Sequence, residues 1–185
     1  KKNMDNIFKL EQITHAALAQ YYRWYQVYEV PFTQQTISNQ KDILSEEVEI
    51  VSQNGITKGK DGLEERLSVY AGWQNAHHVQ KTVVQVVDDG SIALEADILY
   101  QNIRPDSSKY SYTLHYTTVL EQKEKDLPIF KKIELQPTGI VTEFKFEEAY
   151  TENRVKSFMH YWLYLMEIAA AEKFEELLDP NFALH

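Results

Sequence analysis

Through residues 1 to 30, apolar side chains recur at three- and four-residue steps: Ile7, Leu10, Ala17, Leu18, Tyr21, Tyr25 and Tyr28 share one stripe before Pro31. That spacing predicts a single helix with one buried face, stopped by the proline. Residues 40 to 45 predict a short second helix or turn, Val48 to Ser52 a short strand, and Gly55 with Lys58-Gly59-Lys60-Asp61-Gly62 a turn. Asp61 with Glu64 three positions on has the form of a capping box, opening a helix through Leu63, Leu67, Tyr70 and Trp73.

At residue 77 the period changes from 3.6 to 2. Strands are predicted at 77–87, 92–103, 110–121 and 129–136, joined by short polar segments suited to antiparallel hairpins. Ile92, Leu94, Ala96, Ile98 and Tyr100 share one face and Glu95, Asp97 and Gln101 the other, while Tyr110, Tyr112, Leu114 and Tyr116 oppose Ser111, Thr113, His115 and Thr117. The strand at 77–87 carries valines on both faces, which predicts a sheet covered by helices on one side and by a second subunit on the other. A homodimer is therefore expected.

A chain of 185 residues is long enough to bury a core without staples. Its formal net charge of -9 and lack of any Lys/Arg cluster argue against nucleic acid as a partner. The absence of cysteine removes disulfides, thiolate nucleophiles and cysteine metal sites, and fits a reducing compartment. No run approaches the roughly 20 apolar residues of a membrane span, and Lys1-Lys2-Asn3-Met4 lacks a signal-peptide core, so the expected location is the cytoplasm. No phosphate loop, dinucleotide fingerprint or nucleophile elbow is present, and the neighbours His77 and His78 point to opposite faces of a strand, so they do not form a chelating pair. Neither metal nor cofactor is expected.

Helix, short helix, strand, helix and four long antiparallel strands resemble, in that order, the nuclear transport factor 2-like cone fold. The Gly59/Gly62 segment before the third helix, His77-His78-Val79 opening a strand and the Asp88-Asp89-Gly90 hairpin resemble its SnoaL-like and scytalone dehydratase-like branch over residues 10 to 137. The resemblance implies an α+β fold: a cone-shaped, strongly curved antiparallel sheet packed on an N-terminal helix. It also implies a closed pocket faced by a Tyr-acid pair at the end of the first helix and by a histidine at the start of the next long strand. Tyr28-Glu29 and His78 match those positions, and Tyr22-x-Trp24 matches the branch's Tyr-x-Trp. Three departures stand out: Glu29 replaces an Asp, Gln101 falls where a second His is expected, and Ser52 falls near a Tyr position.

A carboxylate among Trp24, Tyr25 and Tyr28 can serve as general acid or base, because desolvation disfavours its charged form. The candidate catalytic residues are thus Glu29, His78 and Tyr28. Tyr25, Trp24, Gln101, His115 and Trp73 are candidate ligand contacts. Two functions stay open: a small cofactorless isomerase, dehydratase or cyclase acting on an apolar or cyclic molecule, or a non-catalytic ligand-binding or assembly module.

After residue 146 the pattern restarts. Thr151 is positioned to cap a helix with Val155, Phe158, Met159, Trp162, Met166 and Ala169 in one stripe that continues toward Phe174, Leu177 and Leu178. Tyr161-Trp162-x-Tyr164-x-Met166-Glu167 echoes the Tyr22 to Glu29 segment, and Leu177 to Leu184 echoes Ile43 to Ile50. Residues 1–146 are accordingly expected to form the cone, and 147–185 a helical extension resembling the start of a second, incomplete one. The apolar stripe, roughly several hundred Å², demands a cover.

Overall fold

The computed structural model describes residues 2–87, 89–124, 126–168 and 173, with side chains described from residue 9 onward. The elements are α1 (Lys2–Trp24), α2 (Gln26–Glu29), α3 (Gln34–Lys41), β1 (Leu44–Ser52), β2 (Gly55–Lys58), a 3₁₀ turn (Lys60–Gly62), α4 (Leu63–Ser68), β3 (Gln74–Val86), β4 (Ile92–Ile103), β5 (Lys109–Lys123), β6 (Asp126–Ile140) and α5 (Tyr150–Glu167). One six-stranded sheet runs in the order β2-β1-β6-β5-β4-β3.

The fold is α+β, with α1 against one face of the sheet. Its aromatic stripe is buried as the helical period requires: Tyr21 and Tyr25 meet Tyr116 of β5, and Trp24 meets Phe130 of β6. Leu18, Ile98 and Leu114 join that core, Val84 is partly buried against it, and Leu10 is exposed. The side chain of Ile7 lies outside the described residues.

Several expectations need correction. The sheet is mixed, because β1 pairs in parallel with β6 while every other pairing is antiparallel. Period-2 patterning shows that a strand exists but carries no information about its neighbour. The segment read as a turn holds β2, paired with β1 from Ser52↔Gly55 to Glu49↔Lys58. The first helix is interrupted at Tyr25. The next helix starts at Gln34, where Thr33 and Thr36 form a reciprocal capping box. Asp61 does not cap α4; it sits in the 3₁₀ turn, and Gly62 at the N-cap makes no side-chain bond.

Outside the sheet, residues 141–149 cross the face opposite α1. Val141 N–H donates to Ser111 O (2.9 Å), Glu147 N–H to Gln101 Oε1 (3.0 Å), and His78 Nε2 lies 3.1 Å from Glu147 O. This strap delivers the chain to α5, whose first turn is capped by Glu148 accepting from Thr151 N–H rather than by Thr151.

α5 lies along α1 and touches it with its polar side. Ser157 donates to Ala19 O (2.8 Å), Gln12 to Glu167 O (3.2 Å), and His15 and His160 approach Nδ1 to Nδ1 at 3.0 Å. The expected apolar stripe points outward instead: Val155, Phe158, Met159 and Met166 are each exposed by 45% or more. Asn153, Ser157 and His160 follow the same helical period about half a turn away, and they hold the docked positions. Ala169, Phe174 and the Leu177 to Leu184 echo lie outside the described residues.

The His160 ring stacks on Tyr22 (5.7 Å between centroids). Burial, then His15 and Lys156, lower its pKa from 6.5 to about 4, and Glu167 lies 3.8 Å from the far nitrogen of His15. With a folded pKa below the unfolded one, the unfolded chain binds more protons between these values. Stability is therefore complete above pH 6.5 and declines as the pH falls toward 4. On the order of 1–2 kcal/mol is expected after allowance for the ring's solvent exposure. Thermal melts across this window should show the decline, and His160→Phe should flatten it.

Candidate active site

α2 is too short for its own core, and its consecutive residues point in different directions. Tyr28 enters the cone, and Glu29, about 100° around the helix, turns toward α5. The Glu29 side chain is 0% exposed. Its Oε1 accepts from Asn153 Nδ2 of α5 at 2.7 Å, and the same amide donates to His77 O at 2.9 Å. Glu29 Oε1 lies 3.7 Å from His77 Nδ1, and neither Glu29 Oε2 nor His77 Nδ1 has a hydrogen-bond partner.

The imidazole beside Glu29 thus belongs to His77, not to His78. β3 places His77 inward and His78 outward, against the strap. His77 is clamped between Tyr25 (4.5 Å, 24°) and Tyr100 (4.9 Å, 27°). Asn75, two residues earlier on the same face, donates to Tyr28 O (2.9 Å) and accepts from Tyr100 O–H (2.7 Å), tying helix to sheet.

His77 and Tyr28 open onto a chamber of about 50 Å³ with Trp24, Arg66, Tyr70, Asn75, Tyr100, Leu114, Tyr116 and Leu135 around it. Glu29 does not line this chamber; it stands behind His77. Arg66 Nε donates to the Tyr28 hydroxyl at 3.2 Å. Burial raises the Tyr28 phenol above its ordinary value despite Arg66, and burial likewise raises Tyr100 and Tyr116. These groups are protonated donors at neutral pH. Burial alone would lower the Arg66 guanidinium, yet the Tyr28 and Tyr70 hydroxyls leave it above its usual value.

On the solvent side of Tyr70, Tyr100, Leu114 and Leu135, which line both spaces, the chamber adjoins a mouth of about 370 Å³ with Trp73, Asn102, Arg104 and Tyr112 in its wall. Gly72, at φ +76°, turns the chain so that Trp73 reaches this rim. A separate cleft of about 430 Å³ touches Tyr28 and Glu29 from outside, between Phe32, Trp73 and Phe146, and holds no imidazole.

The remaining candidates divide. Trp24 lines the chamber and Trp73 the mouth, whereas Tyr25 backs His77 and bonds Tyr21 through its hydroxyl without reaching the cavity. Gln101 is buried under the strap as its anchor and does not line the chamber or the mouth; Asn102 is the inward residue. His115 sits on the outer face between Asp97 (2.8 Å) and Glu95 (3.5 Å), away from the cavity. His77, Asn75, Asn153, Arg66 and Arg104 were not singled out from sequence. Arg66 had a signal: it lies three residues after Leu63 and four before Tyr70, on the flank of that helix's apolar stripe. Among the described residues no group of three or more His, Asp or Glu could hold a metal ion, and no helix is long and apolar enough to cross a membrane.

No family model matches the sequence, and no curated protein matches it. Solved structures do resemble the fold. A hexachlorocyclohexane dehydrochlorinase, LinA-type3, from Novosphingobium barchaimii superposes with a TM-score of 0.60 at 15% identity, over 71% of this chain and 92% of that one. A scytalone dehydratase-like protein from Novosphingobium aromaticivorans gives 0.59 at 14%, over 74% and 90%. ActVI-ORFA from Streptomyces coelicolor gives 0.54 at 14%, over 66% and 95%.

Proposed function

Starting from a chain with the nuclear transport factor 2-like cone fold, we propose a cofactor-independent isomerase or dehydratase that moves a proton next to the carbonyl of a small apolar or cyclic molecule. The observation that carries this is the buried Glu29–His77 pair opening, through His77, onto the same chamber as Tyr28 and Arg66. The names of the similar structures, a dehydrochlorinase and a dehydratase-like protein, are compatible with eliminations begun by such a base.

His77, rather than Glu29 or His78, is the base. Its Nδ1 faces Glu29, whose charge stabilises the imidazolium, Tyr25 and Tyr100 hold the ring in place, and Nε2 takes the proton from the carbon beside the carbonyl. The electron pair moves to the carbonyl oxygen. Tyr28 donates to that oxygen, and Arg66, bonded to the back of the same hydroxyl, strengthens the donor. His77 then returns the proton to another carbon, which isomerises the molecule, or gives it to a β-hydroxyl, which leaves as water.

Incubation with a ring ketone such as 2-tetralone in deuterium oxide tests this. Catalysed exchange of the α-protons, followed by NMR, is expected in the intact protein and should fall about 10²- to 10⁴-fold in His77→Gln. Binding without exchange would favour the non-catalytic module, for which the small size of the inner chamber speaks.

The expected homodimer belongs to the same proposal. The outward stripe of α5 suits a second copy of itself, since an antiparallel helix pair about a two-fold axis buries identical stripes together. Light scattering should report a dimer, and Phe158→Glu a monomer; a monomeric parent protein would rule it out.

A further inference from the structure

Two buried polar atoms in the wall of the cone mouth have no partner: Arg104 Nε, a donor, and Asn102 Oδ1, an acceptor. Asn102 is 1% exposed. The Arg104 guanidinium carbon lies over the rings of Trp73 (4.6 Å) and Tyr110 (4.1 Å), contacts that fix its position at the mouth while its N–H groups stay available for hydrogen bonding. No carboxylate of the described residues lies within 4.0 Å of it, although the protein carries a net charge of -9. The nearby Asp106 is committed to Ser108, accepting from its N–H (2.9 Å) and its hydroxyl (2.6 Å).

A half-buried guanidinium held against aromatic rings, with no carboxylate of the described residues within 4.0 Å, matches one chemistry best, the two oxygens of a carboxylate received in a fork. Around it, Trp73, Tyr100, Tyr112, Leu114 and Leu135 offer flat apolar walls in a space of about 370 Å³, within the range of small-molecule sites. Asn102 Oδ1 in the same wall accepts a hydroxyl. We propose that the mouth of the cone is a carboxylate-binding site, and that the ligand is an aromatic or polycyclic organic acid whose carboxylate pairs with Arg104 and whose ring hydroxyl donates to Asn102. This rests on the cone being the ligand site but not on catalysis. A ligand seated this way sends its far end past Tyr70 and Tyr100 toward His77, Tyr28 and Arg66.

Binding of 2-naphthoate and of its neutral counterpart 2-acetylnaphthalene to the full chain, followed by calorimetry at low salt and by quenching of tryptophan emission, tests the site. The anion is expected to bind at least about tenfold tighter than the ketone. Arg104→Gln should erase that preference while leaving the ketone unaffected, Arg104→Lys should restore part of it, and 6-hydroxy-2-naphthoate should outbind 2-naphthoate in the parent protein but not in Asn102→Leu. Circular dichroism melts show that each variant is folded. Equal affinity for anion and ketone in the parent, no binding of either, or equal loss of both in Arg104→Gln would overturn the proposal. A preference for the anion together with absent proton exchange would retain this site and reject the catalytic function.

Discussion

Glu29→Gln is expected to lower proton exchange by about 10²- to 10⁴-fold while leaving thermal stability unchanged or slightly raised. The Gln side chain keeps an oxygen for Asn153 to donate to, so the packing of α2 against α5 survives. That oxygen is also the one 3.7 Å from His77 Nδ1, so the substitution keeps the polar neighbour of the ring but removes the negative charge that stabilises the imidazolium formed on proton abstraction. The stability side of the prediction follows from burial. A carboxylate that is 0% exposed, holds a single hydrogen bond and leaves one oxygen unpartnered costs free energy in the folded state, and a neutral amide of the same shape relieves part of that cost. Parallel denaturation and exchange measurements check both halves. A Gln variant that loses about 2 kcal/mol or more yet keeps its exchange rate would mark Glu29 as purely structural.

Asn153→Ala is expected to cost about 3 kcal/mol, the largest loss of stability for any single polar truncation in α5. One amide donates to both Glu29 Oε1 and His77 O, and its removal leaves a buried carboxylate with no hydrogen bond and a strand carbonyl with one fewer. Chemical denaturation measures this. In a double-mutant cycle with Glu29→Gln, the penalty should shrink by about 1–2 kcal/mol, because the neutral amide tolerates an empty position better than the ion does. If residues 147–185 are an independent extension, as the sequence pattern suggests, Asn153→Ala should instead fall within about ±0.5 kcal/mol of the parent and truncation after Phe146 should leave a folded cone.

The elements were legible because they are written in local periods. The stripe of Tyr21, Tyr25 and Tyr28 marked the buried side of the first helix, and β4 was found at its full extent from Ile92 to Ile103 by simple alternation. The resemblance supplied the order of elements and the neighbourhood of Tyr28-Glu29. Its register on β3 was one residue off, and the same slip recurs on β4, where Asn102 rather than Gln101 faces inward. In a strand the two faces exchange with every residue, so a histidine pair reads identically until something outside the strand chooses a face.

What the sequence determined by itself was an α+β chain with a helix-backed, strongly patterned sheet, and the aromatic wall against which a carboxylate and an imidazole would be set. The tertiary structure decided which imidazole, by packing Tyr25 and Tyr100 on either side of His77 and laying the 141–149 strap over His78 and Gln101. It also decided that α5 docks through Asn153, Ser157 and His160 and turns its apolar stripe outward, and that Arg66 and Arg104 face adjoining cavities. Asn153 and Glu29 are 124 positions apart. Periodicity reaches a few turns along the chain, whereas such a contact exists only because the free energy of the whole packing brings its two ends together.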